Sequence, residues 1–346
     1  MRRYNLSKMS VPKAMLDRLS RLPGIVLEQG ARLSRYTRFG IGGPAEVYLE
    51  TACEPSFAEA LELVRERGCA YTVIGAGTNL IVSDRGFRGI VLRFTAAEIQ
   101  SDRGDVQAAA GAELQELVDY CVQRGLRGLE TMTGIPGTVG AAVYGNAGAY
   151  GHSINERIRQ VRFLNGVKTC VFENAACEFR YRESVFKRQK DWIIVSVDLA
   201  MDFAPAEELQ KTASDIFKIR LEKYPLTMRC AGSIFKNLIL AELSESVRRQ
   251  VPERVVREGK VASAYFLEQV GAKGMEKGGI RVADYHANLI YNAGQGTATE
   301  LCQMIQELKS RVQERFGLTL EEEVQYVGFS SDGSEPEGEV PVAAKS

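Results

Sequence analysis

Apolar positions change their period several times along the chain, and each change marks an element. Val47 and Leu49 alternate with polar neighbours, which predicts a strand after Glu46. Residues 57–67 carry Leu61 and Val64 at helical spacing, and the run Tyr71-Thr72-Val73-Ile74 reads as a second strand. Together these form a small α/β unit. Residues 89–110 alternate as further strands, and residues 113–124 put Leu114, Leu117, Val118 and Cys121 on one helical face. Strand-like runs at 158–164, 167–172 and 192–199 then predict a sheet-rich second unit facing the first. A helix over 207–222 runs into Lys223-Tyr224-Pro225, where the proline ends it and a third unit begins. That unit is expected to hold a strand at 233–237, helical segments at 253–258 and 263–270, and strands at 280–282 and 289–292. Its last helix opens on a capping box of Thr297 with Glu300 and stops at Gly317, and a strand through Val324 closes the unit.

The expected organisation is a lead-in over 1–23, two subdomains over 24–90 and 91–222, a third domain over 223–328, and a tail over 329–346. The lead-in reads as polar and partly helical. The end of the chain, rich in Ser, Gly, Pro and Glu, is expected to be disordered.

Two glycine-rich stretches interrupt this pattern. Residues 125–151 hold eight of the 33 glycines, with Pro136 fixing one φ inside Gly134-Ile135-Pro136-Gly137. Successive N–H groups in such a turn form an anion-binding concavity, and a diphosphate is the expected occupant. A tight structural crossover is the competing reading. The second stretch, Gly75-Ala76-Gly77-Thr78-Asn79, follows the 71–74 strand. It is no Rossmann fingerprint, because Leu80 stands where the third glycine belongs and an apolar run follows where a helix should start. Loops from two subdomains closing over one extended dinucleotide fit better.

Composition narrows the partners. With 44 basic and 44 acidic residues the chain is neutral, so no global field recruits nucleic acid or an anionic membrane, and small ligands are expected. No apolar run approaches the roughly 20 residues of a membrane span, and the first ten residues lack the apolar core of a secretory signal, which suggests the cytoplasm. Seven cysteines without a C-x-x-C pair read as reduced thiols, and two histidines exclude a multi-histidine metal centre. No metal is expected.

The order of motifs resembles one family. Tyr36-Thr37-Arg38-Phe39-Gly40-Ile41-Gly42-Gly43, G-A-G-T-N-L-I-V-S-D-R-G-F from Gly75, G-I-P-G-T-V-G from Gly134 and N-A-G-A-Y-G from Asn146 follow the pattern of the UDP-N-acetylenolpyruvoylglucosamine reductases. Tyr181-Arg182-Glu183-Ser184, Gly232-Ser233-Ile234-Phe235-Lys236-Asn237, the run from His286 to Asn292 and Leu320-Glu321-Glu322-Glu323-Val324 continue it, over residues 24–328. The resemblance implies an α+β fold: a two-subdomain FAD-binding unit of the p-cresol methylhydroxylase/vanillyl-alcohol oxidase type plus a C-terminal α+β substrate domain. It also implies noncovalent FAD, NADPH as hydride donor, and UDP-N-acetylglucosamine enolpyruvate as substrate, giving UDP-N-acetylmuramate for peptidoglycan. A monomer is expected. The compact segment between Arg182 and Lys223 leaves little room for a substrate-covering insertion, so the shorter, type II form is implied.

By the same resemblance, FAD would be held by Gly42, by Gly75, Ala76, Gly77, Thr78 and Asn79, by Gly134, Ile135, Pro136, Gly137, Thr138 and Gly140, and by Asn146, Ala147 and Gly148. Arg182 matches the arginine that would grip the substrate carboxylate, with Arg180 and Arg188 as rivals. Ser233 matches the proton donor, although a serine after glycine is ordinarily a turn hydroxyl. Strand alternation would put Ser233, Phe235 and Asn237 on one face. Glu323 matches the acidic residue of the C-terminal motif, but Glu321 would share its face, so the assignment stays open by one register step. Tyr181, Lys223 and Asn237 match substrate contacts, Lys223 at the diphosphate. His286 is open between structure and ligand contact. His152 invites a covalent flavin link that the family does not use. Ala141 and Leu238 depart from the family's usual glycine and proline, which bears on local loop geometry. The competing functions are an FAD-dependent oxidase or dehydrogenase of the same fold acting on an alcohol or hydroxy acid, and a flavin-binding protein without catalysis.

Overall fold

The computed structural model describes residues 11–330. Expectations for 1–10 and for a disordered tail over 331–346 lie outside the described residues. The lead-in contributes the helix Lys13–Leu19, which buries Met15 and Leu19.

The first unit is a four-stranded sheet in the order Val26–Gln29, Ala45–Thr51, Phe87–Phe94, Tyr71–Ile74, antiparallel at the first pairing and parallel at the other two. The helix Glu54–Glu66 lies between its second strand and Tyr71–Ile74 in the chain and buries Phe57, Ala60, Leu61 and Val64, the face its spacing predicts. The second unit is an antiparallel five-stranded sheet in the order Lys168–Glu173, Ile158–Asn165, Trp192–Ala200, Asp105–Ala109, Ile99–Asp102. The strand Phe87–Phe94 crosses the expected 90/91 boundary, and one apolar core runs through both units. Between Arg182 and Lys223 the chain forms only the short helix Val185–Arg188, the strands Trp192–Ala200 and Asp202–Phe203, and the helix Ala206–Lys223. There is no inserted domain there.

The third unit has a second core under the antiparallel sheet Arg229–Ser233, His286–Asn292, Ile280–Ala283, Glu276–Lys277. Its long helix Ala298–Phe316 opens on the Thr297/Glu300 capping box and ends at Gly317 with φ +67°, as the residues predict.

Three expectations for this unit fail. The strand expected at 233–237 is Arg229–Ser233, with a register shift between Cys230 and Ser233, and both Ile234 and Phe235 are fully buried. Strict alternation therefore does not carry Ser233, Phe235 and Asn237 on one face. The helix expected at 253–258 is a single 3₁₀ turn, Glu253–Val255, followed by the hairpin Val256–Arg257 and Lys260–Val261. Glu258 and Gly259 turn that hairpin with φ of +51° and +71°, which propensity counting missed. The last strand, Gln325–Val327, does not close the third unit. It pairs in parallel with Leu80–Val82, the strand that directly follows the Gly75–Asn79 loop, burying Val324 and Val327 on the way. This return brings residues 320–324 against the first unit.

Candidate active site

The two glycine stretches face each other. Thr78 Oγ1 donates to the Pro136 carbonyl at 3.2 Å, and Asn79 Nδ2 donates to the Glu323 carbonyl at 2.9 Å. Thr138 caps the helix Val139–Tyr144 by accepting the Ala141 N–H at 3.4 Å. Gly77 has φ +65°, and a Cβ there would fall 1.8 Å from the Tyr36 carbonyl oxygen. A Cβ on Gly137 would meet Thr78 Oγ1 at 2.8 Å, and one on Gly75 would meet Thr138 Oγ1 at 2.7 Å. Side chains are thus excluded where the loops approach, leaving backbone to form the wall.

Along that wall runs a cavity of about 440 Å³, lined by residues 75–79, Thr138, Gly140, Ala141, Arg182 and Glu323 and extended by Tyr71, Tyr144, Trp192 and Tyr326. Its volume lies within the range of cofactor sites. The backbone wall and aromatic flank fit a dinucleotide. Of the other residues matched to FAD, Gly42, Gly134, Ile135, Pro136, Gly137, Asn146, Ala147 and Gly148 are not among those that line this cavity. Gly42 accepts the Ser34 N–H at 3.2 Å, Gly134 donates to Gln115 Oε1 at 2.6 Å, and Ile135 donates to Met132 O at 3.0 Å. His152 is exposed, pairs with Glu156 at 2.9 Å, and does not line the cavity.

At one end of the cavity the structure brings Arg182 and Glu323 together. Arg182 Nε donates to Glu323 Oε1 at 2.7 Å, Nη2 to Gly148 O at 2.8 Å and Nη1 to Asn146 O at 3.3 Å. Three acceptors fix the plane of the guanidinium and leave two of its five donors for a ligand. Arg182 itself sits at φ +56°, and Asn146 at φ +43° donates its amide to Arg180 O at 2.9 Å, so two left-handed residues shape the corner. Ala147 is held by Ala142 O at 2.8 Å. The rival arginines do not line the cavity: Arg180 is exposed and Arg188 pairs with Glu178 at the surface. Of the two glutamates one register step leaves open, Glu323 lines the cavity at 25% side-chain exposure, while Glu321 is 70% exposed and binds Lys236.

Ser233 does not line this cavity. Its neighbour Ile234 accepts the Glu323 N–H at 2.7 Å, which sets the serine one residue from the ion pair's backbone. Asn237 is exposed, and its N–H donates to Tyr181 Oη at 3.2 Å. Burial pushes the Tyr181 phenol up, and Lys260 Nζ lies 4.8 Å from the centre of that ring. Leu238 opens a short strand paired with Lys260–Val261, while Ala141 sits on the cavity wall.

A cationic corner lies at the end of the helix Ala206–Lys223. Lys223 Nζ lies 5.0 Å from the Tyr224 ring centre, and Arg220 lies 5.4 Å from it. Arg220 Nε is buried without a hydrogen-bond partner, beside Gly134, where an added Cβ would lie 3.2 Å from it. Among the described residues neither Arg38, Arg220 nor Lys223 forms an ion pair with a carboxylate. Cations left unneutralised in this way suit an anion. Burial, and then the Lys223 charge, push His286 down to about 4. Sequence reasoning missed Arg220, although its three-residue spacing from Lys223 puts both on one helical face. It also missed the cavity aromatics Tyr71, Tyr144 and Trp192, which periodicity assigns to strands and helices without a role.

Comparison with known proteins agrees with this layout. Residues 45–169 match an FAD binding domain, and residues 224–327 match the C-terminal domain of UDP-N-acetylenolpyruvoylglucosamine reductase. A UDP-N-acetylenolpyruvoylglucosamine reductase from Solibacter usitatus is 61% identical over 311 residues, covering 90% of this chain and all of the relative. One from Syntrophus aciditrophicus is 32% identical over 86% of this chain and 90% of its own. The crystal structure of the Thermus caldophilus reductase superposes with a TM-score of 0.70 at 26% identity, over 88% of this chain and 99% of that one. With two domain models in sequence and a relative matched along its whole length, this chain belongs to the UDP-N-acetylenolpyruvoylglucosamine reductase family.

Proposed function

We propose that this chain reduces the enolpyruvyl group of UDP-N-acetylglucosamine enolpyruvate to UDP-N-acetylmuramate, using NADPH and noncovalent FAD. In this reading residues 24–90 and 91–222 hold the cofactor, and residues 223–328 hold the substrate. FAD, when bound, would supply the hydride taken from NADPH that adds to the terminal carbon of the substrate's vinyl ether. The chain's own residues handle the charge and the proton. Hydride addition to that carbon leaves an enediolate-like dianion on the substrate. The two free donors of Arg182 would bind it, with the guanidinium held rigid by Glu323, Gly148 and Asn146. Ser233 would give its hydroxyl proton to the neighbouring carbon. Lys223 would pair with the diphosphate, with Arg220 beside it as a further phosphate donor. Tyr181 and Asn237 would shape the substrate side.

The observation that carries this reading is the Arg182–Glu323 ion pair, which joins two matched motifs 141 residues apart at the end of the glycine cradle. A simple alcohol offers such an arginine no carboxylate to grip; an oxidase of hydroxy acids would use one, and the anaerobic test below separates it from the reductase. We further read the protein as a cytoplasmic monomer acting on small molecules, neither bound to nucleic acid nor inserted in a membrane. No helix among the described residues is long and apolar enough to cross one. The test is anaerobic. NADPH should bleach the bound flavin, and adding the enolpyruvyl sugar nucleotide should restore the yellow colour without oxygen. Bleaching without recovery on addition of the sugar nucleotide would defeat the reading. Acid precipitation should release all flavin as the dinucleotide; flavin kept on the pellet would restore the case for a covalently flavinylated oxidase.

A further inference from the structure

Arg182, Ser233 and Glu323 come from three separate segments, and a second ionic cluster joins those same segments. The Lys236 side chain is 8% exposed, and its ammonium lies 2.8 Å from Glu183 Oε1 and 2.5 Å from Glu321 Oε1. Glu183 also receives Lys187 at 2.9 Å. Two ammonium groups and two carboxylates cancel. Glu183 follows Arg182 directly, Lys236 lies three residues past Ser233, and Glu321 lies two before Glu323. Backbone bonds already align two of the segments, Glu323 N–H to Ile234 O at 2.7 Å and Lys236 N–H to Glu321 O at 2.9 Å. The third segment, carrying Arg182, is fastened to this ladder by side chains: the Arg182–Glu323 pair itself, Tyr181 to Asn237, and Lys236 to Glu183.

We propose that Lys236 is a positioning residue for the reductase reaction: by gripping Glu183 and Glu321 together it sets the placement of the Arg182 guanidinium relative to Ser233, without touching substrate. The proposal rests on the reductase reading given above. Three features support it. A buried ammonium is desolvated, which only well-placed partners offset, so its position is sharply defined. Burial works against the charge, yet the two carboxylates hold Lys236 above its ordinary pKa, which favours the ammonium form that grips them. Glu183 is gripped from two sides, and its own pKa is held low by Lys236 and Lys187 against the effect of burial. The clamp therefore acts on the residue next to Arg182 rather than on Arg182, and takes neither of the two donors its guanidinium has left for substrate.

The test uses the flavin-loaded full chain and separates the two half-reactions by stopped flow. Lys236→Met strands no buried carboxylate, because Glu183 keeps Lys187 and the Glu321 side chain is 70% exposed. Flavin content and the rate of reduction by NADPH should be unchanged. Anaerobic reoxidation by the enolpyruvyl sugar nucleotide should fall by about 100-fold, the effect of a misplacement near 1 Å at a reacting centre. Substrate affinity, read from the flavin spectrum during titration, should change far less than the rate. Lys236→Arg, which keeps the charge, should recover a large part of the loss. Unchanged reoxidation would overturn the proposal, and so would equal slowing of both half-reactions with lowered flavin content, the mark of a merely structural residue. If Lys236→Met does not fold, Glu321→Gln carries the same test on an exposed side chain. A several-fold slowing confined to reoxidation supports the clamp, and none overturns it. Wild-type protein that NADPH reduces but the sugar nucleotide does not reoxidise would defeat the reductase reading and this one together; normal wild-type turnover beside an unaffected variant would defeat this one alone.

Discussion

The glycine cradle and the Arg182 corner line one cavity, yet they are made of opposite materials. The cradle is backbone: added Cβ atoms would collide with threonine hydroxyls of the facing stretch at Gly75 and Gly137, and with the Tyr36 carbonyl at Gly77. The corner is side chain, a guanidinium bound to a carboxylate 141 residues away and to the carbonyls of Asn146 and Gly148. A backbone surface offers fixed dipoles at no cost in side-chain entropy, which suits a cofactor that stays bound. A charged corner offers strong bonds that a reacting group can draw on, which suits a charge that appears only during the reaction. Damage to the two should therefore look different. Changes in the cradle should remove the cofactor, and changes in the corner should leave the cofactor and remove a step.

Gly77→Ala should give the largest effect and fall wholly on the cradle side. A methyl group 1.8 Å from the Tyr36 carbonyl cannot be accommodated without moving backbone, and the left-handed φ adds about 1–2 kcal/mol of its own. The variant should purify colourless or nearly so, with a lowered Tm that added FAD does not restore. A yellow Gly77→Ala protein with normal turnover would show that this loop is not a cofactor wall.

Ser233→Ala comes next and falls on the other side of the comparison. Flavin content and reduction by NADPH should stay near wild type, while reoxidation by substrate slows on the order of 10²- to 10⁴-fold, the usual contribution of a positioned general acid. Ser233→Cys should recover part of that. Equal slowing of both half-reactions would reduce Ser233 to a turn hydroxyl and leave the proton donor elsewhere.

The cationic corner should respond more gently. Arg220→Gln removes one unneutralised cation beside Lys223, and a lost charge-assisted bond of about 1.5–3 kcal/mol translates to roughly ten- to a hundredfold. It should appear in KM for the sugar nucleotide, with kcat and flavin content little changed. An effect on flavin content instead would move Arg220 from the substrate to the cofactor, because it also lies against Gly134.

The same contrast explains what the chain made legible. Glycines at 75, 77, 134 and 137 announce backbone that must come close, so the cradle can be found by reading along the chain. Helical spacing likewise located Glu54–Glu66, Leu114–Gln123 and Ala298–Phe316 to within a few residues. The corner was reached only through resemblance, since no local pattern says that Arg182 meets Glu323. Local rules also failed where a long-range contact decides the outcome. The strand Arg229–Ser233 shifts register around Gly232, φ +74°, and beyond it Ile234 bonds both to Asn288 of the sheet and to Glu323, while Lys236 bonds to Glu321. Gln325–Val327 leaves its own unit to pair with Leu80–Val82. Glu321 and Glu323 looked equivalent by alternation, and only their partners, Lys236 and Arg182, separate them.

The smallest expected effect lies outside both regions, at His286, which opens the strand His286–Asn292 and does not line the cavity. Burial and the Lys223 charge push this imidazole down to about 4, below its ordinary value near 6.5, so it is neutral in the folded protein at neutral pH. A histidine whose folded pKa is lowered binds its proton more readily when unfolded. Its contribution to stability is therefore fully present above about 6.5, fades as the pH falls from there toward 4, and changes no further below that. Thermal unfolding followed between pH 7 and 4 should show a decline in Tm that is shallower in His286→Gln than in wild type. Because Lys223 supplies part of the shift, Lys223→Met should also flatten the slope while leaving the histidine in place, and it should raise KM for the sugar nucleotide, which His286→Gln should not. Identical slopes in all three proteins would mean that the imidazole titrates normally and that the Lys223 ammonium lies farther from it than the structure has it. A rise in KM for His286→Gln as large as for Lys223→Met would instead make the histidine a substrate contact, settling on the ligand side the alternative that its motif left open.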